Sequence, residues 1–129
     1  MANPMYGQNK ADTEVAVQSD TDVYLKEYTA SAAMGSDSGK VRCIELNHAS
    51  TVIAMTKIYG ADYAGQIVSV KDTSASGTAA HTVTLASGTW NGSNTVITLN
   101  APDECIVVMF DSAGDGTVLA NVGSVALSS

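Results

Sequence analysis

Basic residues are scarce in this chain, and none follows position 71. There are only six, at Lys10, Lys26, Lys40, Arg42, Lys57 and Lys71. The formal net charge is −7. A nucleic-acid interface needs clustered cations to displace counterions from the phosphate backbone, and anionic membranes recruit similar clusters. The composition therefore argues against a nucleic-acid partner and against a membrane partner.

Long apolar runs and large aromatic side chains are also rare. No stretch reaches the ~18 consecutive apolar residues that a membrane-spanning helix needs. The N-terminal sequence MANPMYGQNKAD lacks the apolar region of a signal peptide, so we expect the chain to start here and to stay in the cytoplasm. Hydrophobic residues make up 45% of the chain, with one Trp and one Phe, and they are mostly small or β-branched. Such side chains favour pleated sheets.

The two cysteines lie in apolar stretches, at Cys43 within VRCIEL and at Cys105 within ECIVVMF. We predict buried free thiols, because cytoplasmic chains are kept reduced and cysteine packs like a small hydrophobe. Neighbouring strands could also place the two cysteines side by side, so a disulfide that forms late in an assembled particle is the alternative.

No motif predicts an enzyme or a metal centre. His48 and His81 are the only imidazoles, and neither has a second ligand at metal-binding spacing. No G-x-S-x-G turn accompanies the many serines. The DSAGDG sequence at 111–116 has carboxylates four residues apart but lacks the later glutamate of a calcium loop, so it predicts a hairpin turn. We expect no cofactor, no metal ion and no catalytic activity.

Residues 1–21 are polar and aperiodic, with Pro4 and Gly7 interrupting any regular pattern. We predict an extended N-terminal arm rather than a helix. The arm carries isolated anchors at Met5, Tyr6, Val15 and Val17. Anchors of this kind indicate a segment that becomes ordered on a partner.

From residue 22 onward, apolar runs of strand length alternate with turns rich in Gly, Ser, Asn and Asp. The predicted strands are 22–28, 40–46, 51–58, 66–72, 81–86, 94–100, 104–111, 116–121 and 124–128. Residues 29–35 predict one helical turn at most. About eight to nine short strands indicate one all-β domain at 22–129, an antiparallel β-sandwich or a small β-barrel.

The stretch 82–100 reads as two alternating strands around the turn GTWNG, which predicts a β-hairpin whose loop displays Trp90. Packing of Trp90, within or between subunits, is favoured over presentation to a sugar. The run 105–110 is apolar almost throughout, which is typical of a central strand or of a strand at a subunit interface.

Residues 65–129 resemble a β-module of small structural proteins from tailed bacteriophages. The similar parts are VSVKD at 68–72, GTAAHTVTL at 77–85, GTWNG at 88–92, LNA at 99–101 and NVGSVALS at 121–128. The N-terminal NPMYGQNKAD is similar to the start of phage head proteins.

The resemblance implies a capsid decoration, or cement, protein: a homotrimer on the outer capsid surface of the virion, bound to the major capsid protein. Pro4, Met5, Tyr6, Val15 and Val17 would then contact the capsid. Subunit contacts would come from the β domain, through Trp90, Val107, Met109 and Phe110. The alternatives are a head-fibre or tail-associated module that recognises host glycans, and a small hydrolase with an acid–base pair near His48 or His81.

Overall fold

A computed structural model describes residues 24–129 of the chain. These residues form two five-stranded sheets, with short 3₁₀ helices at Gly35–Asp37 and Gly60–Tyr63. The strands are β1 Leu25–Tyr28, β2 Ala32–Ala33, β3 Cys43–Leu46, β4 Ala54–Tyr59, β5 Ile67–Asp72, β6 His81–Ser87, β7 Val96–Leu99, β8 Cys105–Phe110, β9 Gly116–Val122 and β10 Ala126–Ser128. The predicted arm at 1–21 and its anchors lie outside the described residues.

The all-β prediction is confirmed, and the architecture is a sandwich of two separate sheets. Sheet A has the strand order β1-β3-β5-β8-β9, and sheet B has the order β10-β7-β6-β4-β2. Each of the nine predicted strands overlaps one observed strand, and β4, β6 and β9 end one residue beyond the predicted range. The additional strand is β2, whose two residues fall in the region where only a helical turn was predicted.

Both sheets are mixed rather than wholly antiparallel, which corrects the sequence-based prediction. From β1 to β6 the chain crosses to the opposite sheet after every strand, so successive strands of one sheet run in the same direction. The pairs β1–β3, β3–β5, β2–β4 and β4–β6 are therefore parallel. Parallel neighbours need a long crossover, and here a strand of the other sheet provides it.

The core lies between the two sheets and follows the alternation of each strand. Sheet A contributes Ile44, Leu46, Val68, Val70, Ile106 and Val108, and sheet B contributes Met55, Ile58, Val83, Leu85, Ile97 and Leu99. All are buried. Burial of each such side chain is worth about 1.5–3 kcal/mol, so these inner faces supply most of the drive for folding.

Three loops meet at one end of the sandwich through glycines. A Cβ atom on Gly60 would lie 2.0 Å from the carbonyl oxygen of Gly114, and one on Gly88 would lie 2.1 Å from the same oxygen. Gly88 and Gly114 also have positive φ angles of 82° and 87°. Only glycine allows three backbones to approach this closely.

Beneath these glycines the few aromatic side chains pack together. The Phe110 ring lies 5.8 Å from the Tyr63 ring and 5.6 Å from the Trp90 ring, measured between centroids. Trp90 has no exposed surface, and its indole N–H donates to the Val83 carbonyl oxygen at 3.1 Å. The predicted β6–β7 hairpin is confirmed, but the Trp90 side chain in its loop points into the core rather than into solvent.

In addition to its pairing with β3, strand β1 makes a side-chain contact with the first 3₁₀ helix. Asp37 Oδ2 accepts hydrogen bonds from Lys26 Nζ and from the Tyr28 hydroxyl, both at 2.9 Å. The Lys26 hydrogen bond is the main cause that lowers the pKa of the Asp37 carboxyl. Burial, together with the hydrogen bond to Asp37, raises the pKa of the Tyr28 hydroxyl.

The glycine contact predicts a sharp positional effect. We expect Gly60→Ala to lower the free energy of unfolding by about 3 kcal/mol, because the new methyl group must displace the 111–116 turn. Gly92→Ala is the control, since its Cβ would meet nothing within 4 Å and only the positive φ of 62° opposes it. Urea denaturation measures both variants, and equal losses would contradict a steric cause.

The Asp37 contact predicts a pH dependence. Because folding lowers the pKa of this carboxyl, its contribution is complete above about pH 4 and is lost as the pH falls through the folded-state pKa. We expect Asp37→Asn to cost about 1 kcal/mol at neutral pH and less below about pH 3. Unfolding curves at several pH values test this, and a pH-independent loss would contradict it.

Candidate interaction surface

The outer face of sheet A carries the candidate site, and strand registers arrange its side chains in three rows. The middle row is Leu25, Cys43, Ser69, Val107 and Ala120. On one side lies a row of Ile67, Met109 and Thr117. On the other lies a row of Glu27, Glu45, Lys71, Cys105 and Val122.

This outer face is apolar over most of its width and exposed in the described part of the chain. Leu25, Ile67 and Met109 keep 52%, 51% and 45% of their surfaces accessible, and Val122 keeps 59%. Only the third row contains charges. Contiguous exposed apolar surface on a small domain is typical of an interaction site.

The outer face of sheet B is different, because its side chains are small and mostly hydroxylated. One of its rows is Ala54, Thr82, Thr98 and Ala126, and the next is Thr84, Val96 and Ser128. The large exposed apolar side chains on strand faces are thus concentrated on sheet A.

The predicted subunit-contact residues separate into two pairs. Val107 and Met109 lie on the outer face of sheet A, where a partner could reach them. Trp90 and Phe110 are buried, at 0% and 1% exposure, and pack on each other. The interface role of Trp90 and Phe110 is therefore corrected, since side chains enclosed in the core of one chain cannot contact a second.

Alternation explains this split within β8. Ile106, Val108 and Phe110 point into the core, whereas Cys105, Val107 and Met109 point outward. Leu25 and Ile67 belong to the same surface but were not predicted from the sequence. The alternation in IVSVKD at 67–72 was the signal that could have identified Ile67.

The cysteines also lie on this face. Strand β5 separates β3, which carries Cys43, from β8, which carries Cys105. Two strand spacings are about 10 Å, beyond the Cα separation that a disulfide spans. Both thiols are free and half-buried, and burial raises the pKa of Cys105. An intrachain disulfide is therefore not compatible with this fold.

A buried polar cluster brings together His81, Ser74 and Asp72. His81 Nδ1 accepts the Ile53 backbone N–H at 3.0 Å, so the ring proton lies on Nε2. Nε2 then donates to the His48 carbonyl oxygen at 3.0 Å, and the Ser74 hydroxyl donates to the same oxygen.

This cluster lacks the arrangement of a nucleophile and its base. A base needs a free Nε2 lone pair facing the hydroxyl, with a carboxylate on Nδ1. Here Nδ1 faces a backbone amide, and Asp72 Oδ1 accepts the Ser74 backbone N–H at 2.9 Å. The cluster cross-links the loops around the ends of β3, β4 and β5, and the geometry gives the hydrolase alternative no support.

The 111–116 turn uses its first carboxylate for backbone hydrogen bonds. Asp111 Oδ1 accepts the backbone N–H groups of Ala113 and Asp115, at 2.9 and 3.0 Å. The turn joins β8 to β9, which are antiparallel, so the predicted hairpin is confirmed. Within residues 24–129, no group of three or more potential metal ligands comes together.

Comparisons with known proteins do not identify a family. No protein-family model matches the chain, and no curated protein or solved structure matches it. Among the described residues, no helix is long and apolar enough to cross a membrane.

The buried cluster predicts a structural role for His81. We expect His81→Leu to lower the free energy of unfolding by about 3 kcal/mol, because the Ile53 amide and the His48 carbonyl lose a buried partner. Thr84→Leu on the outer face of sheet B is the control, as its side chain is only half-buried. Thermal unfolding compares the variants, and a His81 variant as stable as the control would contradict the role.

Proposed function

We propose that this chain is a structural protein of a bacteriophage particle that decorates and stabilises the outer surface of the capsid. The observation that carries the proposal is the exposed apolar outer face of sheet A on an otherwise compact, acidic β domain. Such a domain acts by docking its surfaces. The choice of a phage particle rests on the sequence resemblance of residues 65–129.

The charge distribution suits a position outside the nucleic acid. All six basic residues precede position 72, and the formal net charge of −7 would repel a phosphate backbone. A decorating subunit needs no cation cluster, because its partner is the protein shell.

The N-terminal arm would dock the domain on the major capsid protein. Strand β1, at the edge of sheet A, begins at Leu25, one residue after the first described residue, so the described domain starts at the border of the apolar face. Extended segments bind by main-chain pairing and by inserting alternate side chains into pockets. Pro4, Met5 and Tyr6 form the distal group of anchors, and Val15 and Val17 form the proximal group.

Capsid stabilisation would follow from mass action. A ligand that binds only the assembled shell stabilises that shell by its own binding free energy, and no chemical reaction is required. The proposed homotrimeric stoichiometry rests on the sequence resemblance alone.

The glycan-binding alternative finds less support. It needs aromatic side chains on one exposed rim, and Trp90 and Tyr63 are both buried. Tyr59 and Tyr24 remain exposed, at 37% and 60%, but Tyr59 ends β4 of sheet B whereas Tyr24 precedes β1 of sheet A.

The copy number in purified particles tests the proposal. Quantitative mass spectrometry should find about one copy per major capsid subunit, as expected for a ligand that covers a symmetric shell. A few copies per particle would instead indicate a fibre or tail component. Absence from particles would refute a virion role.

Deleting residues 1–20 tests the arm separately. We expect the truncated chain to lose binding to undecorated capsids while its circular dichroism spectrum keeps the β signature. Lys57→Glu in the full chain is the matched control, since Lys57 lies in β4 on the other sheet. Undiminished binding by the truncated chain would contradict docking through the arm.

A further inference from the structure

We infer that two copies of this chain associate face to face through the outer face of sheet A, around a two-fold axis running parallel to the strands between β3 and β5. The partner is a second copy of the same chain. This inference does not depend on the capsid role, and it replaces the homotrimer with a dimer as the unit held together by this surface.

The composition of the face fits the core of a protein–protein interface. Its first two rows contain no charged side chain, and Leu25, Ile67 and Met109 are each about half exposed in the single chain. Depletion of charge from the centre, with charges kept at one border, is typical of protein interfaces.

The border charges select a second copy as the occupant. Glu45 and Lys71 are register neighbours on β3 and β5, and both point outward. A two-fold axis between these strands exchanges their positions, so Glu45 faces Lys71 of the second copy and Lys71 faces Glu45. One pair of opposite charges thus forms two reciprocal contacts, as an isologous interface requires.

The competing intrachain partner of Lys71 is weak. Lys71 Nζ lies 3.7 Å from Asp103 Oδ1, and the Asp103 side chain is 86% exposed. Exposed ion pairs of this kind contribute little. Lys71 is therefore available to a carboxylate across the interface.

The same axis also matches the apolar row. It places Leu25 opposite Val107 of the second copy, and Cys43 opposite Ser69 of the second copy. Under this axis β1, β3, β5 and β8 overlap with the second copy, and at 4, 4, 6 and 6 residues they present roughly 320 Å² of projected area per copy. Two such faces amount to roughly 640 Å², the size of a weak interface, so we expect a concentration-dependent dimer.

The native cysteines report the register of this dimer. Sheets packed face to face lie about 10 Å apart. The axis also displaces β3 of one copy sideways from β3 of the other by one strand spacing, so the two Cys43 Cα atoms are about 11 Å apart. The two Cys105 Cα atoms, offset by three spacings, are about 17 Å apart by the same geometry. Both distances exceed disulfide reach, but a short bismaleimide spans the Cys43 pair.

Charge reversal tests the reciprocal contacts. Sedimentation equilibrium of the full chain should give a dimer at high concentration. Glu45→Lys alone and Lys71→Glu alone should each weaken association at least about tenfold, because like charges then face each other twice. The combined swap Glu45→Lys with Lys71→Glu should restore it, and Lys57→Glu on sheet B should leave it unchanged.

Cross-linking tests the register. The short bismaleimide should yield covalent dimers of the full chain, and Cys43→Ser should abolish them, whereas Cys105→Ser should not. Leu25→Asp, an exposed position at the edge of the sheet, should suppress both cross-linking and dimer mass. Thermal unfolding confirms that each variant is folded.

Several results would overturn the inference. They are a monomer at all concentrations, a trimer insensitive to the charge variants, a swap that fails to restore association, and cross-linking that needs Cys105 instead of Cys43. A monomer whose Cys43 resists maleimide would mean that residues 1–23 of the same chain cover the face, which also overturns it.

Discussion

The two sheets of this domain are held together by the packing of their apolar inner faces against each other. Neither sheet is stable alone, because each has one apolar face that must leave water. The chain meets this requirement by crossing between sheets after each of its first five strands. Both layers are therefore extended together, and each new strand buries its inner face on a strand of the opposite layer.

The crossings need tight, well-defined loops at the ends of the sandwich, and two different devices provide them. At one end Gly60, Gly88 and Gly114 bring three backbones into contact above the aromatic cluster. In the loops that follow β3 and β5, His81 and Ser74 provide hydrogen bonds to buried main-chain groups. Residues that look chemically suggestive in the sequence, such as His81 and Trp90, are thus used to hold loops.

His81, Trp90 and the three contacting glycines are used to pack the domain itself. A binding role therefore falls to the side chains that point outward from the two sheets. Sheet B presents small and hydroxylated residues, whereas sheet A presents large apolar ones with charges along one border. This asymmetry is the physical basis for assigning interaction to sheet A. It also explains why Val107 and Met109 belong to the candidate surface while their neighbour Phe110 does not.

The class of fold and the approximate positions of nine strands follow from the sequence, because alternation and turn residues are local properties. The acidic net charge of −7 is likewise a property of the composition. The alternation of β1 to β6 between the two sheets is visible only in the folded domain, since strand pairing depends on contacts between distant residues. For the same reason, the burial of Trp90, the separation of Cys43 from Cys105 and the register of Glu45 beside Lys71 could not be read from the sequence: each is set by which strands become neighbours.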